Sequence, residues 1–183
     1  MLKYYTDLVW MTQNNHLYKK FSCDSSTITK FFPYYKTLNE LSWYNLNGFL
    51  TLDIPKGIWL KEPLLELINK QYSIAGAVFL KISTNTCYSW HKDHTRGLSI
   101  NMLMEESNSF CLFGDKIDDY NYNTIKLDYE LGKFYLFNTQ HEHCVINFDQ
   151  PRFLFSIEFE QEKDDLSYQD VYNWCLNQGL FYE

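Results

Sequence analysis

The sequence lacks two features that would point to a membrane or to nucleic acid. It contains no uninterrupted apolar run of 18 residues, so we expect no membrane-spanning helix and no membrane partner. It also has no run of five or more basic residues, and its formal net charge is −7. A phosphate backbone would be repelled by such a surface, so nucleic acid is not an expected partner.

Closely spaced cysteine pairs are also missing. The five cysteines form an odd set without any C-x-x-C pair, at positions 23, 87, 111, 144 and 175. This pattern fits a reducing compartment better than a disulfide framework. The first 16 residues hold a short apolar patch but no cleavage-site pattern of a secretory signal. We therefore expect a soluble protein of the cytoplasm.

Aromatic side chains, by contrast, are abundant. Hydrophobic residues make up 45% of the 183 positions and aromatic residues 19%, which indicates a globular chain with a core of Phe, Tyr and Trp. We expect a single domain over 1–183. Within it, 1–72 would supply strands and helices packed on a barrel, 73–160 the β core, and 161–183 a C-terminal helix. The sequence does not indicate an oligomeric state.

Short strand-like segments dominate the second half of the chain. A continuous apolar run covers 73–82, and turn residues such as Gly114 and Asp115 separate the segments that follow. These segments are 98–104, 109–113, 124–129, 133–137, 144–146 and Arg152–Phe159. No helical pattern alternates with them. The sequence therefore predicts a mainly β fold with flanking helices, arranged as an antiparallel sandwich or jelly roll.

Helices are predicted on both sides of this β region. Pro63 is placed to open a short helix, because proline is tolerated in a first turn and Leu67 belongs to an apolar stripe behind it. At the other end of the chain, Ser167 is expected to cap a helix that stops at Gly179. Both helices are amphipathic, so we expect them to cover the sheet.

Two histidines and one aspartate stand out among the polar residues of the β region. His91 and Asp93 form a His-x-Asp pair after a strand-like run, and His143 begins another strand about fifty residues later. Two imidazoles and one carboxylate are the ligand set that holds non-haem ferrous iron on one face and leaves three positions open. We therefore predict a metal site formed by these three residues.

The strand Arg152–Phe159 has the longest alternation of apolar and polar residues in the chain. Period-two geometry places Arg152 and Leu154 on one face and the phenylalanines on the other. Since the phenylalanines supply the packing, we expect Arg152 to point into the barrel. A buried guanidinium needs an anionic partner, and a carboxylate would satisfy it with bidentate geometry.

In this order and spacing, these residues resemble the iron(II)/2-oxoglutarate-dependent dioxygenases. The resemblance covers about 74–160, and the first seventy residues do not contribute to it. The segment EHCVINFDQPRFLF at 142–155 is similar to the H-x-V-x-N and following arginine of the aspartyl/asparaginyl hydroxylase branch. A complete His-x-Asp is more typical of the prolyl hydroxylase-like branches. The resemblance implies a double-stranded β-helix, the cupin-like jelly-roll barrel of this superfamily.

The resemblance also implies an activity and cofactors. His91, Asp93 and His143 would hold Fe(II), and Arg152 would pair with the distal carboxylate of 2-oxoglutarate. The protein would be an oxidoreductase that uses O2 to hydroxylate a C–H bond of a protein side chain, a peptide or an amino acid. Succinate and CO2 would be released.

One position departs from the family pattern. Leu154 stands where many members carry a small polar residue two positions after the arginine. Another side chain must then supply one contact to the cosubstrate carboxylate. We expect this residue to be Asn101, on the strand after the metal pair, or Tyr88, on the strand before it.

Several alternatives use the same residues. His141 shares a strand face with His143 and competes with it as a ligand, although the spacing to Arg152 favours His143. A zinc- or metal-binding cupin-like module could use similar ligands, but it would leave Arg152 without a function. A non-catalytic jelly-roll binding domain and a cupin-type dioxygenase without 2-oxoglutarate are further possibilities. Arg96 is expected either to face an anionic substrate or to lie in a surface turn.

Overall fold

The computed structural model describes residues 14–182, apart from the side chain of Glu40. Most of the N-terminal apolar patch lies outside this range. The strands are β1 (Tyr18–Asp24), β2 (Tyr44–Leu46), β3 (Phe49–Asp53), β4 (Ile74–Ile82), β5 (Thr86–His91), β6 (Leu98–Leu103), β7 (Ser109–Lys116), β8 (Tyr122–Leu127), β9 (Lys133–Asn138), β10 (His143–Asn147) and β11 (Arg152–Phe159). The helices are α1 (Ile28–Lys36), α2 (Lys56–Trp59), α3 (Pro63–Gln71) and α4 (Tyr168–Asn177), with a short 3-10 turn at Glu40–Ser42.

Two antiparallel sheets build the barrel. The larger sheet has the strand order β1-β9-β6-β11-β4-β3-β2, and the smaller one has the order β5-β10-β7-β8. A buried cluster shared by both sheets includes Ile82 from the larger sheet and Phe113 and Val145 from the smaller one. The sheets therefore face each other across a common interior, and the predicted jelly-roll class is confirmed.

Strand β11 shows how alternation separates this interior from the outer face. Phe153, Phe155 and Ile157 pack in a second cluster together with residues of α1, α3 and α4. Arg152 and Ser156 are buried on the opposite face, toward the smaller sheet. The predicted bounds and face assignment of this strand are confirmed, because large apolar side chains at every second position from 153 to 159 share one face of a strand and pack together there.

The N-terminal part of the chain extends the larger sheet at both ends. Strand β1 pairs with β9, and the hairpin β2–β3 pairs with β4. The start of α1 is capped from a distance by Glu62, whose buried carboxylate accepts bonds from the backbone N–H groups of Ser26, Thr27 and Ile28. This carboxylate fixes α1 against the turn that precedes α3.

Helix α3 corrects one expectation from the sequence. It begins at Pro63 as predicted, but Leu64, Leu65 and Ile68 are buried while Leu67 is exposed. At about 100° per residue, the buried stripe is centred between positions 64 and 65, so position 67 turns away from the sheet.

Strand β7 corrects a second expectation. Gly114 and Asp115 were expected in a turn, yet both lie inside the strand and pair with β8. The rings of Trp90 and Tyr122 stack at 4.6 Å between centroids and cover Gly114, where a Cβ atom would lie 2.9 Å from the Trp90 ring. A residue without a side chain is needed for this contact, and the hairpin loop shifts to 117–121.

The C-terminal helix follows the prediction. Ser167 and Asp170 form a reciprocal capping box at the start of α4, and Gly179 follows its end with a φ of +66°. None of the helices found between residues 14 and 182 has the length and apolar character needed to cross a bilayer.

Candidate metal centre

Adjacent strands of the smaller sheet bring the predicted ligands together. His91 is the last residue of β5 and His143 the first of β10, and they lie opposite each other in the strand register. Asp93 follows two residues after His91, where its backbone N–H donates to the carbonyl of Thr139 at 3.0 Å. One potential ligand atom of each of the three residues lies within 4.8 Å of the other two.

The hydrogen bonds of the two rings determine which nitrogen faces the centre. His91 Nδ1 lies 2.7 Å from the carbonyl of Ser89, and His143 Nδ1 lies 2.8 Å from the carbonyl of His141. A carbonyl only accepts, so both Nδ1 atoms carry the proton and a neutral ring presents an unprotonated Nε2. Burial lowers the pKa of His143 to about 4, which keeps this ring neutral at physiological pH.

The two Nε2 atoms converge on one carboxylate oxygen. Asp93 Oδ1 lies 3.7 Å from Nε2 of His91 and 3.8 Å from Nε2 of His143. These distances are too long for hydrogen bonds, so three lone-pair donors face one another without a proton between them. Ligand atoms about 2.1 Å from one ion and at right angles to each other lie about 3 Å apart. The carboxylate oxygen and the two Nε2 atoms would therefore need to approach one another by less than about 1 Å to bind a cation.

Asp93 is held by groups that sequence reasoning did not assign. Arg96 donates from Nε at 2.8 Å and from Nη2 at 2.6 Å to Oδ2 of Asp93, which leaves Oδ1 directed at the imidazoles. The turn after β9 fixes the loop itself, since Thr139 Oγ1 and Gln140 Nε2 each donate to the carbonyl of Arg96 at 2.6 Å. Arg96 therefore orients the ligand, and its spacing three residues after Asp93 was the available signal.

Aromatic rings enclose one side of the centre and leave the other side open. Phe137 packs edge-on against the ring of His143 at 5.0 Å between centroids, and Tyr88 packs perpendicular to His91 at 4.5 Å. The side chain of His143 is 8% exposed, whereas that of His91 is 26% exposed. An ion bound here would be anchored from the barrel interior and accessible to ligands from the His91 side.

Arg152 lies in the same interior, deeper along the strands. It is 3% exposed and lines a cavity of about 170 Å³ together with Cys111 and Tyr129. Its Cζ atom lies 5.5 Å from the centre of the Tyr129 ring. No carboxylate in the described part of the chain forms an ion pair with it. Asp128 also lines the cavity, but it pairs with Lys126 at 2.6 Å, so the Arg152 guanidinium has no carboxylate partner among the described residues.

The strand register relates this cavity to the metal ligands. His143 lies opposite Phe113, and Cys111 lies two residues further along β7 on the same face. Two residues of a strand advance by about 7 Å. Cys111, which lines the Arg152 cavity, is therefore about one such step along β7 from the residue opposite His143.

The two candidates for an additional cosubstrate contact are placed differently. Asn101 is 6% exposed, and its Oδ1 accepts no hydrogen bond from any described residue. The buried hydroxyl of Tyr129 is likewise without a partner there; burial raises its pKa and the nearby Asn101 amide opposes this rise. Tyr88 packs on His91 instead, and neither it nor Asn101 lines the Arg152 cavity. Tyr129 had no distinguishing signal in the sequence.

The remaining histidines stay outside the cluster. The ring of His141 packs edge-on against His16 at 5.1 Å, and its backbone carbonyl is what orients His143. His94 is exposed to solvent. Neither is among the three residues whose donors converge.

Fold and site together define a jelly-roll barrel with a candidate metal site at the end of two adjacent strands. No protein-family model matches the chain, and no curated protein matches its sequence. Solved structures do match. A prolyl hydroxylase from Trichoplax adhaerens, in complex with a hypoxia inducible factor oxygen degradation domain peptide fragment, aligns with a TM-score of 0.57 over 81% of this chain and 86% of its own, at 13% identity.

Two further structures agree. A Pseudomonas putida prolyl-4-hydroxylase aligns with a TM-score of 0.53 over 80% of this chain and 93% of its own, at 13% identity. A non-haem α-ketoglutarate-dependent epimerase from nogalamycin biosynthesis has a TM-score of 0.53 over 82% of this chain and 80% of its own, at 8% identity. The chain thus has the fold of the 2-oxoglutarate oxygenases.

Proposed function

We propose that the protein is an Fe(II)/2-oxoglutarate-dependent oxygenase that hydroxylates a C–H bond, and that its substrate is a peptide or a protein side chain. The observation that carries the proposal is the pairing of two incomplete sites in one barrel. Three lone-pair donors converge at His91, Asp93 and His143. The guanidinium of Arg152 lies about two strand residues deeper in the barrel and has no carboxylate partner among the described residues. A ferrous ion and 2-oxoglutarate satisfy both.

The donor set itself fits ferrous iron. Two imidazoles and one carboxylate on one face leave positions for a chelating 2-oxo acid and for O2. When bound, iron would activate O2, which is the oxidant, and 2-oxoglutarate would supply two of the electrons; one oxygen atom would enter the substrate C–H bond and the other succinate, with release of CO2. His91, Asp93 and His143 orient the ion, and Arg152 fixes the far end of the 2-oxo acid. The aromatic wall around His143 keeps bulk water from the inner side of the centre.

The exposed side of the candidate metal site indicates the substrate class. The exposed side of His91 and Asp93 opens to the surface rather than into a closed cavity, so a substrate approaches from outside the barrel. The Trichoplax neighbour has a peptide bound, which supports a peptide over a small metabolite. The cytoplasmic location expected from the cysteine pattern belongs to the same proposal, because a reducing compartment keeps iron ferrous.

Catalytic or structural zinc is the competing assignment. Zinc accepts two histidines and one carboxylate with an open fourth position, so the ligands alone do not exclude it. Arg152 is buried and pairs with no carboxylate between residues 14 and 182, which favours the oxygenase, since a zinc site gives that guanidinium no partner.

Anaerobic titration of the 183-residue protein with Fe(II) and 2-oxoglutarate tests the proposal. We expect the weak visible charge-transfer band of an iron chelate in the wild type and its loss in Asp93→Ala. His94→Ala is the matched control, because it removes an exposed imidazole next to Asp93 and should retain the band. Folded wild-type protein that binds Fe(II) but gives no band with 2-oxoglutarate would contradict the assignment.

A second variant separates the two sites. Arg152→Met should raise the 2-oxoglutarate concentration required for the band while leaving Fe(II) affinity nearly unchanged. The loss of a charge-assisted, buried contact predicts a weakening of about ten- to a hundredfold. Equal loss of iron binding would instead assign Arg152 a structural role. Succinate formation coupled to a +16 mass increase in a peptide library would then identify the substrate.

A further inference from the structure

The side chain of Asn147 links the two backbone segments on either side of Arg152. It is the last residue of β10 and is 1% exposed. Its Nδ2 donates to the carbonyls of Ser83 at 2.7 Å, Gln150 at 2.8 Å and Ile82 at 3.3 Å. Three carbonyl oxygens surround one end of the amide, which identifies that end as the NH2 group. Its oxygen accepts nothing from the described residues, so the amide functions here by donation.

Each accepting carbonyl belongs to a segment that fixes the place of Arg152. Ile82 lies directly opposite Arg152 in the pairing of β4 with β11. Gln150 lies in the turn that enters β11, two residues before the arginine. One amide therefore fastens the entry of β11 and the end of its partner strand to β10, the strand that carries His143.

No other common side chain of this size makes the same three contacts. Aspartate would present its carboxylate to three carbonyl oxygens, and leucine would leave them buried without a donor. Serine could satisfy one of them. The asparagine of the H-x-V-x-N segment thus has a structural role, the binding of three backbone carbonyls, that does not involve the metal.

We infer that Asn147 is a positioning residue for the anion site, and that it sets the depth at which Arg152 meets the far carboxylate of the cosubstrate. This inference rests on the proposed function, since it requires a dicarboxylate at Arg152. Because β10 is paired on both sides, with β5 and β7, His143 stays in place when the Asn147 amide is removed. Loss of the amide should therefore loosen the anion site and leave the metal site intact.

The test measures the two sites separately on the 183-residue protein. Mn(II) binding is followed by electron paramagnetic resonance, and glutarate, an unreactive five-carbon dicarboxylate, is then titrated calorimetrically into the Mn(II)-loaded protein. We expect Asn147→Ala to weaken glutarate about tenfold, the equivalent of one charge-assisted contact, and to change Mn(II) affinity by less than about threefold. Asn147→Ser keeps one donor, so its glutarate affinity should lie between those of the wild type and Asn147→Ala. It remains informative if the alanine variant does not fold.

Chain-length preference provides a readout that lost stability alone does not change. Wild-type protein should prefer glutarate to the longer adipate, and the preference should shrink in both Asn147 variants because Arg152 is no longer held at one depth. Asn69→Ala is the matched control: it deletes an amide contact to Ile74, at the opposite end of β4 and about 26 Å from Ile82. It should lower stability without changing the preference.

The outcomes distinguish the inference from the function on which it rests. Weaker glutarate binding with a reduced preference and intact Mn(II) binding supports it. Equal losses at both sites, or no change at either, overturns it while the oxygenase assignment stands. Wild-type protein that binds Mn(II) but neither glutarate nor 2-oxoglutarate refutes the anion site itself, and the inference with it.

Discussion

Arg96 offers a quantitative test of how the metal ligand is oriented. Its guanidinium makes two contacts to Oδ2 of Asp93, at 2.6 and 2.8 Å, and the two side chains are 32% and 12% exposed. A charge-assisted hydrogen bond contributes about 1.5–3 kcal/mol, and partial exposure reduces this to about 1–2 kcal/mol. Holding one carboxylate rotamer adds about 0.5 kcal/mol. The sum of about 1.5–2.5 kcal/mol corresponds to a roughly 10- to 70-fold weaker metal affinity in Arg96→Gln.

Mn(II) titration followed by electron paramagnetic resonance measures this change. Arg96→Lys is the informative partner, because it keeps the positive charge but lacks the paired Nε and Nη2 donors. If orientation dominates, the lysine variant should bind Mn(II) nearly as weakly as the glutamine variant. The guanidinium also repels a cation. An Mn(II) affinity that stays unchanged or rises in Arg96→Gln would refute the reasoning and show that the charge of Arg96 lowers metal affinity.

Three further predictions concern stability and ligand choice. Glu62→Gln should destabilise the fold by about 2–4 kcal/mol in chemical denaturation, since it weakens a buried cap made by several donors. Burial raises the pKa of Glu62, but its hydrogen bonds outweigh burial and lower the pKa below 4.5. The wild type should therefore lose this stabilisation as the pH falls through the pKa of the folded state. The stability of the variant should depend less on acid pH. Gly97→Ala should cost at least about 1–3 kcal/mol and weaken metal binding, because a Cβ there would collide with the Leu166 carbonyl and displace the loop that carries Asp93; intact binding would refute this. His141→Ala should keep metal affinity within about threefold, because its carbonyl rather than its ring contacts His143, and a loss as large as that of Asp93→Ala would show that the ring is a ligand.

The features that sequence reasoning predicted well are those that local periodicity determines. The alternation in Arg152–Phe159 predicted the strand, its bounds and the buried face of Arg152, because the phenylalanines could pack on one side only. The start of α3 at Pro63 and the capping box at Ser167 follow from backbone chemistry within a few residues. The convergence of His91, Asp93 and His143 was anticipated through spacing and resemblance, and the structure brings their donor atoms together.

The features that were missed depend on contacts between distant segments. Gly114 was expected in a turn because its composition is typical of turns, whereas the packing of Trp90 over β7 makes it a strand residue. Arg96 was expected either to face an anionic substrate or to lie in a surface turn, whereas it binds Asp93 in a loop that the turn after β9 holds in place. Tyr129 reaches the Arg152 cavity through the fold of the β8–β9 connection, and nothing near it in the chain signals that position.

Both imidazoles are oriented by a carbonyl two residues earlier in their own chain segment, Ser89 for His91 and His141 for His143. Any side chain can occupy positions 89 and 141 without altering those acceptors, because they belong to the main chain. Substitutions at these two positions should therefore leave the orientation of both imidazoles unchanged. A graft of the paired strands into an unrelated sandwich would therefore carry the orientation of both imidazoles with it, and would still need the aspartate loop and the turn after β9 that holds it.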